Sequence, residues 1–266
     1  MSDRARPEFA GTRFEILAAG RRIEAWSIAA RDAARPTLVL LHEGLRCAVQ
    51  WRDFPLRLAE LTGCRVISYS RYGHGFSEPL EAPRAVGYMH DEALLALPEL
   101  LDRLAIADPV LIGHSDGASI AIIHAGGAGR AVRGLVLMAP HVFVEDVTVA
   151  SIAAVRESYA TTDLRERMAR HHADPDATFR GWNDIWLDPA FRAWNIEEYL
   201  PEIRCPILMI QGRDDEYGTV AQLDAIERGV AASRVERLML ASCGHAPDRD
   251  QPEATLAAVA RFVTGL

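Results

Sequence analysis

The 266-residue chain is poor in the features that mark several protein classes. It has no long basic run and a formal charge of −8, so it lacks the electrostatic footprint that nucleic acids or anionic membranes require. No stretch reaches the length needed to cross a bilayer. The opening "MSDRARPEFAGTRFEIL" lacks the unbroken apolar core of a secretory signal. These absences predict a soluble, cytoplasmic protein. Only four cysteines are present, Cys47, Cys64, Cys205 and Cys243, far apart and without CxxC spacing; neither a zinc site nor a disulfide framework is indicated, and reduced thiols are expected. Internal repeats and low-complexity tracts are also missing. Chemistry on a small molecule is the class left standing.

What is present is enough apolar sequence, 49% of residues, for a sizeable core. β-Branched and apolar runs recur with helical patterns between them: "TRFEILA", "RIEAWSI", "PTLVLLH", "CRVISYS", "PVLIGHS", "VRGLVLMAP", "PILMIQG" and "RVERLMLA". The first two alternate, as in an antiparallel edge hairpin around Ala19 and Gly20. "TLVLL", "VLIG" and "GLVLM" are continuously apolar, as strands covered on both faces must be. The pattern predicts an α/β fold: a mostly parallel, eight-stranded sheet with helices on both faces. From His141 to about Arg204 no strand is predicted, and short helical patterns carry eight aromatic residues. This stretch reads as an inserted helical cap (141–204) within a core domain formed by 1–140 and 205–266.

The segment "GHSDG" joins a buried strand pattern to a helical one. A G-x-S-x-G turn there is so sharp that Gly113 and Gly117 tolerate little beyond hydrogen, which would leave Ser115 standing proud of the sheet. The competing explanation is a serine that merely caps the helix "DGASIAII". A nucleophilic serine needs a base, and "SCGHAPDRDQPE" places His245 between the last strand and the last helix. Other histidines are less well placed: His114 lies inside the elbow, His90 and His124 on helices, and His171 and His172 on the polar surface of the insertion. An orienting carboxylate is available in "GRDDEYGT". Asp215 is the choice, and a turn or capping role suits Asp214 better.

With the order Ser…Asp…His in place, the sequence resembles the α/β-hydrolase family from "TRFEIL" to "ARFVTGL", closest to the small capped carboxylesterases. The pieces that carry the resemblance are "LVLLHEG", "SYSRYGHGFSEP", "GHSDG", "GRDD" and "GHAPDRDQPE". It implies Ser115 as nucleophile, His245 as base, Asp215 as orienting acid, and the N–H groups of Asp116 and Gly44 as the oxyanion hole. It further implies a pocket roofed by the insertion, no metal or organic cofactor, and a small ester or related acyl compound as substrate, with no nucleic acid or membrane partner. Candidate substrate-binding residues are Trp182, Trp186, His141 and Glu43. The two tryptophans, one helical turn apart, serve either an apolar pocket or the attachment of the cap. Thioesters, lactones and activated C–C bonds stay open as substrates of the same triad, as does a ligand receptor built on a hydrolase fold.

The chain departs from the family pattern in three places. Glu43 stands where a glycine is usual, Asp116 adds an acid beside the nucleophile, and Tyr69 replaces a common aspartate. Anions near a developing oxyanion are unfavourable unless neutralised. The two acids therefore predict ion pairing with Arg46, Arg71 or His74, aided at Asp116 by the helix N-terminus, and poor acceptance of strongly anionic substrates. "GHGFSE" lacks the third glycine of a dinucleotide fingerprint, and in "HEGLR" Arg46 occupies the place of a second zinc-ligating histidine.

Overall fold

A computed structural model describes residues 11–266. Strand β1 (Thr12–Ala18) turns through Ala19 and Gly20 into β2 (Arg21–Ile28), followed by β3 (Thr37–Leu41), helix α1 (Phe54–Thr62) and β4 (Arg65–Tyr69). Next comes one continuous helical run, as the sequence pattern suggests, made of α2 (Tyr88–Asp91), a π-helical turn (Glu92–Ala96) and α3 (Leu97–Arg103). Then β5 (Val110–His114), α4 (Asp116–Gly127) and β6 (Gly134–Met138) form the centre of the fold. The sheet order is β1-β2-β4-β3-β5-β6-β7-β8, with β7 at Ile207–Gly212 and β8 at Val235–Leu240. Only the β1–β2 and β2–β4 pairings are antiparallel.

Between β6 and β7 lie α5 (Asp146–Thr161), α6 (Leu164–Met168) and α7 (Pro175–Trp186), then two short 3₁₀ segments. Helix α7 starts where Asp174 accepts a hydrogen bond from the Ala177 N–H (2.9 Å) and Pro175 supplies the first-turn residue that needs no donor. The chain closes with α8 (Val220–Gly229), the one-turn α9 (Pro247–Asp250) inside the histidine loop, and α10 (Pro252–Thr264). No helix among the described residues is long and apolar enough to cross a membrane. All four cysteines are free thiols.

The apolar strands bury both faces by alternation. Val39, Leu41, Leu111, Leu135 and Leu137 point into one core, while Leu38, Leu40, Val110, Ile112 and Val136 point into the other. Full burial of each such side chain is worth about 1.5–3 kcal/mol, so the central parallel strands are the stiffest part of the molecule. Every site loop described below leaves their carboxyl ends. Leu137→Ala, which opens a void between β6 and the core above it, should cost about 2–5 kcal/mol of unfolding free energy in urea titration; a loss below 1 kcal/mol would mean that this layer is not close-packed.

Candidate active site

The turn between β5 and α4 fixes the serine. A Cβ on Gly113 would overlap the Gly117 carbonyl, and one on Gly117 would overlap the Leu41 carbonyl of the neighbouring strand. Ser115 itself takes φ 53° and ψ −119°, a conformation that L-residues rarely hold. Its hydroxyl makes no capping bond to α4. The helix-cap explanation of this serine therefore does not describe its side chain, which turns to the histidine loop instead.

Ser115 Oγ lies 2.9 Å from His245 Nε2, and His245 Nδ1 lies 2.9 Å from Asp215 Oδ1. A carboxylate only accepts, so the ring proton sits on Nδ1 and Nε2 is left to accept the serine O–H. Asp215 follows β7 and is held by further donors: the Tyr217 N–H (2.9 Å), the Gly218 N–H (3.3 Å) and Gln211 Nε2 (3.3 Å). Its neighbour Asp214 is exposed. Burial opposes charge on His245, but the Asp215 hydrogen bond and charge, with Glu43 and Glu216 behind them, raise its pKa above the usual 6.5. Burial likewise opposes the Asp215 anion, and the His245 contact outweighs it, so the carboxyl titrates below its ordinary range.

His245 is positioned by its backbone as well. His114, on the last residue of β5, bonds the His245 carbonyl through Nε2 (2.6 Å), and the His245 N–H donates to Glu216 Oε2 (3.2 Å). Tyr217 packs against the imidazole at 4.6 Å between ring centres, and His141 does so at 5.7 Å. His141 is buried, has Nδ1 unpartnered among the described residues, and burial lowers its pKa to about 4.

Both unexpected acids are accounted for. Asp116 is buried; its Oδ2 accepts from the Tyr88 hydroxyl (2.7 Å) and lies 3.8 Å from Arg71 Nη2. Tyr88 in turn accepts from Trp186 Nε1 (3.1 Å), which ties the elbow to α7. Glu43 accepts from the Leu45 N–H (2.7 Å) and faces Arg46 (3.5 Å), whose other end meets Asp248 (2.7 Å). The N–H groups of Gly44 and Asp116 have no acceptor among the described residues. Two donors thus remain without a protein acceptor, one in the loop after β3 and one next to Ser115 at the N-terminus of α4, where the helix dipole favours negative charge.

A cavity of about 190 Å³ opens over Ser115 and His245. Glu43, His141, Trp182 and Trp186 all line it, together with Thr148 and Ile152 of α5, which sequence reasoning did not single out. Trp186 also packs edge-on against Phe191 (4.8 Å) and at a tilt against Trp194 (5.9 Å), so it both lines the cavity and anchors its segment. One expectation is overturned: His172 is not on a polar surface. It is buried, with Nδ1 accepting from the Gly75 N–H and Nε2 donating to the Leu45 carbonyl, both at 3.0 Å. Its exposed-looking setting, "RHHADPD", hides a return of the chain onto the sheet loops.

A serine on a strand-to-helix turn, with an imidazole and a carboxylate brought in from later strand ends, is the frame of a hydrolase. The chain belongs to the alpha/beta hydrolase family, whose sequence profile matches residues 38–259. No curated protein matches it in sequence. Among solved structures it is similar to an esterase from Rhodococcus sp. (20% identity, TM-score 0.70, covering 96% of this chain and 99% of that one). An enol-lactonase from Burkholderia xenovorans (20%, 0.72, 94% and 99%) and a meta-cleavage product hydrolase from Pseudomonas fluorescens (20%, 0.72, 94% and 96%) share the fold equally well.

Burial lowers the pKa of six histidines, His42, His74, His114, His124, His141 and His172, while that of His245 is raised. The unfolded chain then binds more protons than the fold below pH 6.5, and each depressed histidine removes about 1.4 kcal/mol per pH unit between its two pKa values. The raised pKa of His245 acts in the opposite sense and in a different window, its contribution being lost as pH rises above 6.5. The melting temperature should fall steeply from pH 6.5 to 5; a flat profile across that window would contradict the neutral, buried assignment.

Proposed function

We propose that this protein is a serine hydrolase that cleaves a carboxylic ester of a small, mainly apolar substrate through an acyl-enzyme. The observation that carries the reading is the continuous chain Ser115 Oγ, His245 and Asp215, with both contacts at 2.9 Å. In this reading Ser115 attacks the carbonyl as His245 Nε2 takes its proton, and Asp215 stabilises the imidazolium that forms. The carbonyl oxygen moves between the free N–H groups of Asp116 and Gly44, where loss of one donor would cost about 3 kcal/mol of barrier. His245 then returns the proton to the leaving alcohol and activates water for deacylation.

Residues 141–204 act as the cap over a core domain of 1–140 and 205–266. The cavity is below the roughly 300–1,000 Å³ of sites for drug-sized ligands, which supports a short acyl or alcohol group against Ile152, Trp182 and Trp186. Polar side chains, among them His141, Glu43, Thr148, Glu216 and Arg249, face the same space. A thioester, a lactone or an activated C–C bond suits the same three residues, and the solved structures of similar fold include an enol-lactonase and a meta-cleavage product hydrolase. A receptor role would leave the serine-histidine contact without a purpose.

Three measurements test the reading. Incubation with an organophosphate should add one adduct mass at Ser115, and Ser115→Ala should abolish both the adduct and turnover of p-nitrophenyl esters; retained turnover would dismiss the site. The acid limb of kcat should lie above pH 6.5, because the base must be neutral and its pKa is raised. Asp215→Asn should move that limb to lower pH and reduce kcat by roughly 10⁴-fold. Short-chain esters should be preferred, and Trp186→Ala should shift the preference to longer chains; a lowered melting temperature with an unchanged preference would leave the indole as an anchor only.

A further inference from the structure

The loop His42–Leu45, which carries one of the two free N–H groups, is held by its carbonyl oxygens. Buried Arg71 donates to the His42 carbonyl and, through Nη2, to that of Glu43 (3.2 Å). His42 Nδ1 also bonds the Glu43 carbonyl (2.7 Å), while its Nε2 accepts from the Arg71 N–H (3.0 Å). His74 Nε2 bonds the Gly44 carbonyl (3.0 Å), and His172 Nε2 bonds that of Leu45 (3.0 Å). Four successive carbonyls therefore have side-chain donors.

Carbonyl and N–H point opposite ways across a trans peptide. Fixing the Glu43 oxygen thus fixes the direction of the Gly44 N–H, and fixing the Gly44 oxygen directs the Leu45 N–H to the Glu43 carboxylate that it meets. Three of these four fastenings come from the core fold. The fourth, His172, comes from the inserted segment, between α6 and α7.

His172 is bonded at both ring nitrogens to different loops. A backbone N–H can only donate, so the Gly75 N–H fixes Nδ1 as the acceptor and leaves the ring proton on Nε2 for Leu45. Burial lowers its pKa to about 4, which keeps this tautomer neutral at physiological pH. The same stretch is fastened by Ala173 N–H to the Gly75 carbonyl (2.8 Å) and Thr178 Oγ1 to the Gly73 carbonyl (2.7 Å). The Trp182 indole covers Gly44 so closely that a Cβ there would overlap it.

We propose that His172 is a positioning residue for the oxyanion hole: Arg71 and His42 fix the direction of the Gly44 N–H, and the inserted segment, through its bond to the Leu45 carbonyl, anchors the far end of the same loop and so holds that N–H in place. The inserted segment is then part of the catalytic apparatus as well as a wall of the pocket. This rests on the serine-hydrolase reading above.

The two near-isosteric amides separate the two bonds of His172. His172→Gln places an amide N–H near Nε2 and retains a donor for Leu45; His172→Asn places its amide near Nδ1 and retains only the Gly75 partner. Against wild type, His172→Asn should lose about 10- to 100-fold in kcat on p-nitrophenyl butyrate with KM within about threefold, a smaller loss than deletion of an oxyanion donor itself. Its affinity for an alkylboronic acid, which forms a tetrahedral adduct on the serine, should fall by a similar factor. His172→Gln should recover most of both losses. Equal losses in the two variants, or an unchanged boronate affinity in His172→Asn, would overturn the proposal. If either variant fails to fold, histidine ¹⁵N spectra of the wild type decide: the neutral Nε2–H form at pH 7 is required, and the Nδ1–H or doubly protonated form rejects it. Wild-type turnover that survives Ser115→Ala would instead reject the underlying serine reading, whatever the His172 variants do.

Discussion

The sharp reversal between β5 and α4 is the constraint from which the rest of the site follows. Its geometry is possible because two glycines let backbone approach backbone, and because the parallel strands on either side are packed tightly enough to hold Ser115 at a positive φ. A strained residue persists only where its surroundings over-determine it. Here they do: Ser115 N–H donates to the Met138 carbonyl of β6, and α4 is buried from Asp116 to His124. The rigid centre of the sheet thereby holds the hydroxyl still while longer, looser loops bring the imidazole and carboxylate to it.

Charge in this region is managed by enclosure. Asp116, Arg71, Glu43, Arg46 and Asp248 form two short chains of alternating sign beneath the loops, and Tyr88 adds a neutral donor whose own ionisation is suppressed by burial and by the Asp116 charge beside it. Isolated, either acid would oppose negative charge on a substrate oxygen. Paired, their charges are balanced locally, and the two backbone N–H groups keep no protein acceptor among the described residues.

Much of this was legible in the sequence. Continuous apolar runs marked the parallel strands, alternation marked the edge hairpin, and the elbow, acid and histidine segments, whose side chains the fold brings into contact, were picked out by residue type and order. The single helix read over 88–103 is continuous, but its π-turn at Glu92–Ala96 was not legible, since one turn with i→i+5 bonds leaves no mark in residue type. His172 was misjudged for a plainer reason: a histidine among charged residues looks solvated, and its two backbone partners, Gly75 and Leu45, lie roughly one hundred or more positions away in the chain. Hydrogen bonds to main-chain atoms leave no mark in side-chain pattern. The same holds for Arg71 and His74, whose partners are carbonyls, and for His114, which reaches across 131 positions to the His245 carbonyl.

One stretch of chain, 148–186, shapes the cavity through Thr148, Ile152, Trp182 and Trp186 and also grips the sheet loops through His172 and Thr178. The shape of the cavity and the position of the sheet loops are consequently hard to change apart. A shift of these helices that widened the cavity would disturb the loops they hold, whereas exchanging a cavity side chain in place would leave those bonds untouched.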